Sequence, residues 1–167
     1  QSFKRVKFIA LAGVDGSGKS TQVEKVMEAL LAKGHKVAYF HAIEFSLANR
    51  LSRLMRAKKN FTPGEEKAVT QASFLALVLR EKFMTLDSIR FHFWKRHLRL
   101  EGYDMILSDR SFYDSLINIA YLNQEKKSKL IDLGIRILTS IIPKADQVFF
   151  FDLKASDIMS RSRVPEQ

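Results

Sequence analysis

Gly13-Val14-Asp15-Gly16-Ser17-Gly18-Lys19-Ser20 fits the pattern G-x-x-x-x-G-K-[ST] without a gap. Its flanks make the reading decisive for the fold. Ahead of it, Lys7 to Ala12 (KFIALA) is a short apolar run that reads as a buried strand. Behind it, Thr21 to Lys33 spaces Val23, Val26, Met27, Leu30 and Leu31 as a helix does. Strand, glycine loop and helix follow in the order that phosphate binding requires. Glycines let backbone N–H groups turn inward around a β-phosphate, and the helix N-terminus adds partial positive charge. Lys19 can reach the β/γ oxygens and the Ser20 hydroxyl can ligate Mg²⁺. The stretch therefore predicts a site for a nucleoside triphosphate, built from Gly13, Asp15, Gly16, Ser17, Gly18, Lys19, Ser20 and Thr21, with ATP and Mg²⁺ as the expected cofactors.

At 167 residues and 46% hydrophobic content, the chain can bury one proper core, so residues 1–167 are read as a single domain. Cysteine is absent, which excludes disulfides and thiolate metal sites. No apolar stretch reaches the length of a membrane span and the N-terminus lacks a signal-type apolar region, so no membrane partner and a cytoplasmic setting are expected. The net charge of +10 is spread through predicted helices (Arg50, Arg53 and Arg56; then Arg90, Lys95, Arg96 and Arg99) and is not gathered in a tail. A cleft for two nucleotides would itself need several such cations. Nucleic acid is not an expected partner, although charge alone does not choose between a small phosphate substrate and a polynucleotide.

Strand-like and helix-like segments alternate along the chain. Lys36 to His41 reads as a second strand, and Ile43 to Lys58 as an amphipathic helix. Asn60-Phe61 is a break, and Thr62-Pro63-Gly64-Glu65 gives a helix start, with Thr as N-cap and Pro at the first position. That helical pattern runs towards Leu100, with an interruption expected near Thr85 to Ser88 and an end at Gly102. Met105 to Leu107 is a third strand, Phe112 to Leu122 and Lys129 to Ile142 are helices, Gln147 to Leu153 is a fourth strand, and Ala155 to Arg163 opens a last helix. Such alternation implies right-handed crossovers. The expected class is α/β, a three-layer P-loop NTPase-type fold with a parallel sheet flanked by helices. Phe91, Phe93 and Trp94, at helical spacing, are read as core rather than as base-stacking residues.

Magnesium chemistry behind a phosphate loop also needs a carboxylate at a neighbouring strand end. Asp109 ends an apolar strand and fits; Asp152 on the fourth strand is the rival. Arg110, the next residue, could grip a phosphate with its planar fork. An ordinary Asp-Arg pair at a turn would look the same.

The runs IALAGVDGSGKSTQ, ILSDRSFYDSLINIAYLN and IIPKADQVFFFDLKASDIMSRSR resemble the thymidylate kinases and their close relatives among the nucleoside monophosphate kinases. The resemblance spans nearly the whole chain in the same order. It implies an Asp15 aimed at the acceptor nucleotide, a metal-linked Asp109, an acceptor-phosphate Arg110, substrate contacts from Ser115 and Tyr121, and lid arginines Arg161 and Arg163. Arg90 lies nearest the spacing of that family's base-contacting arginine, and Arg80 has the more similar surroundings. The chain differs from the family at Ala12, where Glu is usual, at Ser111, where an aromatic is common, and at His41-Ala42-Ile43-Glu44, where an arginine-proline segment is usual. The resemblance also implies that residues 1–167 end just past the lid arginines, before the family's last strand and helix, either as a truncated or as a divergent member.

The reading that results is phosphoryl transfer from Mg-ATP to a nucleoside monophosphate, dTMP first, with a homodimer as one expected state. Lys19, Asp15, Arg110, Arg161 and Arg163 are the expected catalytic residues, Ser20 and Asp109 the metal residues, and Arg80, Arg90, Ser115 and Tyr121 further substrate contacts. The alternatives are a deoxynucleoside kinase, for which Glu44 is placed to act as base, another nucleotide kinase, or a nucleotide-binding module without turnover.

Overall fold

A computed structural model describes residues 5–13, 17–58 and 73–152, with the side chains of 52 and 54–58 left aside. The element order is β1 (Lys7–Gly13), α1 (Lys19–Ala32), β2 (Val37–His41), α2 (Ala42–Phe45), α3 (Leu47–Lys58), α4 (Phe74–Leu100), β3 (Met105–Asp109), α5 (Phe112–Lys126), α6 (Lys129–Ile141) and β4 (Gln147–Phe151). The expected breaks and starts between Asn60 and Glu65, the residues after Asp152 and the helix Ala155 to Arg163 lie outside the described residues. The chain divides into two compact units. One comprises the described parts of Gln1–His41, Lys95–Ser111 and Lys144–Gln167, the other those of Ala42–Trp94 and Phe112–Pro143.

The first unit holds a four-stranded, all-parallel sheet in the order β2-β3-β1-β4. Parallel strands buried on two faces need apolar residues at both parities, as KFIALAG and MILSD supply. Towards α1 the sheet presents Leu11 and Leu107, which pack with Val23 of the helix and with Ile9, Met27 and Val37. The opposite face buries Phe8 and Phe40, edge to face at 6.1 Å. Ser108 stands next to Phe40 in the β2–β3 register, and its small side chain leaves room for that contact. Registers Leu11↔Asp109 and His41↔Asp109 align the carboxyl ends of β1, β3 and β2.

In the second unit, Phe91 is fully buried and meets Phe45, Trp94 and Phe112 in ring contacts of 5.6–6.3 Å. Phe93 corrects the reading that all three aromatics are core: it is 70% exposed. Two further expectations are revised. The segment from Ile43 to Lys58 is two helices, because the Leu47 N–H turns away to the Asp87 carboxylate at 3.0 Å and starts α3 there. Conversely, α4 runs unbroken through Thr85 to Ser88. The Thr85 and Ser88 hydroxyls donate back to the carbonyls of Glu81 and Met84, four residues earlier, so these polar side chains are satisfied inside the helix. The α5–α6 turn is tied by buried Asn123, which donates to the Ser128 carbonyl and to Asp132 Oδ1.

Candidate active site

The glycine loop leaves β1 at Gly13, whose φ is +146°. A Cβ there would lie 2.6 Å from the Phe151 carbonyl oxygen of the neighbouring strand, so only glycine allows the close approach. The loop re-enters described structure at Ser17 and meets α1 through Gly18, a left-handed N-cap (φ 81°) that contributes no side-chain capping bond. The first turn of α1 holds no acidic residue. Its N–H groups are therefore not claimed by a carboxylate of their own helix, which suits an anion. Lys19, the first helical residue, is only 6% exposed. Buried Ser17 Oγ has no hydrogen-bond partner, and a sealed polar atom of this kind costs about 1–3 kcal/mol unless a ligand satisfies it.

Ser20 Oγ donates to Asp109 Oδ2 at 2.5 Å, which joins the first turn of α1 to the carboxyl end of β3. Asp109 is buried. Asp152, its rival from the sequence, is exposed and follows β4 on the other side of β1. Arg110 sits at φ 75°, a left-handed conformation that costs a side chain roughly 1–2 kcal/mol. Its backbone is held from two sides: its N–H donates to the Leu11 carbonyl at 3.4 Å, and Ser108 Oγ donates to its carbonyl at 2.5 Å. The strained backbone of this residue is thus over-determined at the strand end.

The remaining predicted residues are distributed as follows. Thr21 is exposed in the first turn of α1. Asp15, Gly16, Arg161 and Arg163 lie outside the described residues. In the second unit, Arg90 Nη1 donates to Asp87 Oδ1 at 2.7 Å and to the Phe45 carbonyl at 3.1 Å, and the guanidinium lies 4.5 Å from the centre of the Phe45 ring. Arg80 is exposed on α4, Ser115 and Tyr121 are exposed on α5, and Glu44 is exposed on α2. Sequence reasoning missed two participants. Ser108 was signalled only as a polar residue in an apolar strand, and Asp87 looked like a helix break. His41, which the sequence singled out, keeps a buried Nδ1 without a hydrogen-bond partner.

A strand-end carboxylate bonded to the first turn of the helix that a glycine loop enters is the arrangement of P-loop nucleotide-binding proteins. Fold and site define that class. The chain belongs to the thymidylate kinase family, whose model matches residues 11–167. A curated "probable thymidylate kinase" of Sulfurisphaera tokodaii is 26% identical over 161 residues, covering 96% of this chain and 71% of that protein. Crystallographic thymidylate kinase from Ehrlichia chaffeensis shares the fold with a TM-score of 0.55 at 23% identity, over 95% of this chain and 82% of its own. The Candida albicans enzyme does so with a TM-score of 0.54 at 22% identity, over 93% and 66%. Family membership makes the chain an ATP-dependent nucleoside monophosphate kinase. Among the described residues no helix is long and apolar enough to cross a membrane.

Proposed function

We propose that this chain transfers the γ-phosphoryl group of ATP to dTMP, yielding ADP and dTDP. The observation that carries the reading is the Ser20–Asp109 contact at the entrance of α1, in a chain of the thymidylate kinase family. An oxygen of the dTMP phosphate forms the new bond to the γ-phosphorus as the bond to the β–γ bridging oxygen breaks. The acceptor oxygen is already anionic, so no side chain need remove a proton.

Lys19 and the N–H groups at the start of α1 hold the donor phosphates, and Ser17 Oγ gains there the partner it lacks. Arg110 grips the acceptor phosphate and keeps it in line. Asp15 orients the acceptor, while Arg161 and Arg163 supply cations to the spread negative charge of the transition state. Arg80, Arg90, Ser115 and Tyr121 are further contacts for the acceptor, each to be tested through KM. Ser20 and Asp109 offer two hard oxygens side by side, a donor set that fits Mg²⁺, which takes few protein ligands and fills its shell with water and phosphate. When bound, the metal neutralises charge on the β- and γ-phosphate oxygens.

A cytoplasmic setting goes with the reading, because ATP is supplied there. A homodimer does too: Leu75, Leu79, Leu86 and Phe93 form one exposed apolar stripe on α4, and sedimentation measures it. The decisive experiment is turnover with Mg-ATP across dTMP, dUMP, CMP, UMP, AMP, GMP and thymidine, with Lys19→Ala as the inactive control. The highest kcat/KM is expected for dTMP. Preference for a purine monophosphate or for thymidine overturns the acceptor assignment.

A further inference from the structure

Ser108 lies between Leu107 and Asp109 near the end of β3, and none of its surface reaches solvent. In the parallel registers it stands beside Ala10 of β1 and Phe40 of β2, both buried. Packing against Phe40 asks only for a small side chain, and alanine would meet that demand. The hydroxyl is what packing does not explain, since a sealed hydroxyl is costly unless it is bonded. It is met forward along its own chain, where Ser108 Oγ donates to the Arg110 carbonyl at 2.5 Å.

That bond closes a short ring across the main chain of Asp109, whose carboxylate is meanwhile held by Ser20. At the far end of the ring Arg110 has φ 75°, and its N–H donates to the Leu11 carbonyl at 3.4 Å. The two bonds do different things, because the N–Cα bond of Arg110 lies between them. Leu11 holds the nitrogen and leaves rotation about that bond free. Ser108 holds the carbonyl beyond it and so opposes the rotation. Turning φ back to the ordinary negative range would carry the carbonyl carbon and Cβ round together. The hydroxyl bond and the root of the arginine side chain are therefore kept or lost in one motion.

We propose that Ser108 is a positioning residue for the acceptor phosphate, acting through the left-handed backbone of Arg110 and not by touching the nucleotide. The proposal rests on the reading of Arg110 as the residue that grips that phosphate. Alanine at position 108 frees Arg110 to relax towards the right-handed φ that side chains prefer. The guanidinium then starts from more than one place, and the acceptor binds only the fraction that starts from the right one. A reduced competent fraction reads as a raised KM for the acceptor. The donor side is spared, because Lys19 and Ser20 belong to α1 and the Ser20–Asp109 contact does not run through Arg110.

A double-mutant cycle between Ser108→Ala and Arg110→Gly tests it, with the parent and the double variant completing the square. In the parent background Ser108→Ala is expected to raise the KM for dTMP roughly fivefold, about the worth of one hydrogen bond, with the KM for ATP within roughly twofold. In the Arg110→Gly background the guanidinium is already gone, so Ser108→Ala should change the KM for dTMP by less than about twofold. A purely structural hydroxyl would lower Tm without that coupling. An unchanged KM for dTMP in Ser108→Ala overturns the proposal, whatever its melting temperature. An equal rise for ATP, or the same fivefold rise in the glycine background, overturns it too. If the parent does not use dTMP, the acceptor assignment fails by itself, and the same square is run on the monophosphate the parent uses best. If it transfers to none, calorimetric affinity for dTMP takes the place of KM. A parent that binds no monophosphate removes the reading of Arg110 and this proposal with it.

Discussion

Ser20 and Asp109 are 89 residues apart in sequence and 2.5 Å apart at their oxygens. The hydrogen bond between them fixes the start of α1 against the end of β3, and it also sets two oxygen donors side by side. Asp109→Asn keeps a hydrogen-bonding side chain of the same shape but removes the charge. It is expected to lower Mg-dependent kcat by on the order of 100-fold or more while ATP still binds in the presence of a chelator. Equal loss of chelator-resistant ATP binding would place Asp109 in the nucleotide site itself.

Arg110 separates function from backbone strain. Arg110→Ala and Arg110→Gly should raise the KM for dTMP alike, since both remove the guanidinium. Their stabilities should differ, because glycine accepts φ 75° without penalty and alanine does not. The glycine variant is expected to be more stable by about 1 kcal/mol, or roughly 2–4 °C in Tm. Equal melting temperatures for the two would mean that the left-handed conformation is not maintained in solution.

Asp87 serves two partners from one buried carboxylate, the Leu47 N–H and Arg90. Asp87→Ala leaves both without an acceptor and is expected to destabilise by about 1–3 kcal/mol, read from the denaturant midpoint at constant m. Asp87→Asn keeps the bond to Leu47 and should fall between the parent and the alanine variant. Loss below 0.5 kcal/mol in the alanine variant, on the order of a neutral surface change, refutes the dual role.

Lys95 gives a pH signature. Burial pushes its ammonium below the ordinary value of 10.5, against the raising pull of Asp146 3.8 Å away, while Arg5 adds to the lowering. The unfolded chain therefore holds this proton more tightly than the folded one. The cost of the buried charge is fully present below the folded pKa and fades as pH rises from there to 10.5. Lys95→Met should melt above the parent at neutral pH, with the gap narrowing in alkali. A gap that widens with pH would falsify this assignment.

Much of this was legible in the sequence because local signals agreed with one another. The strand before the phosphate loop, the helix after it and the Asp109 strand end all announce themselves by apolar run and motif, and each is where the periodicity puts it. What escaped depended on distant partners. Helix α3 starts at Leu47 because Asp87 lies 40 residues away, and no pattern around Ser46 reports that. The interruption expected at Thr85 to Ser88 fails for a related reason: their hydroxyls find carbonyls within the helix, which propensity alone does not reveal. Arg110 was chosen for its charge, whereas its left-handed backbone depends on Ser108 and Leu11.

Gly13 touches the Phe151 carbonyl with no side chain between them, and the two residues are paired in the β1–β4 register. The phosphate loop and β4 therefore share one boundary. If β4 opens, the first residue of the loop loses the surface that fixes its backbone. Local opening of the two should be one cooperative event, so the amides of β4 and those at the mouth of the loop belong to a single exchange unit. A nucleotide held by the loop would then protect a strand it never touches.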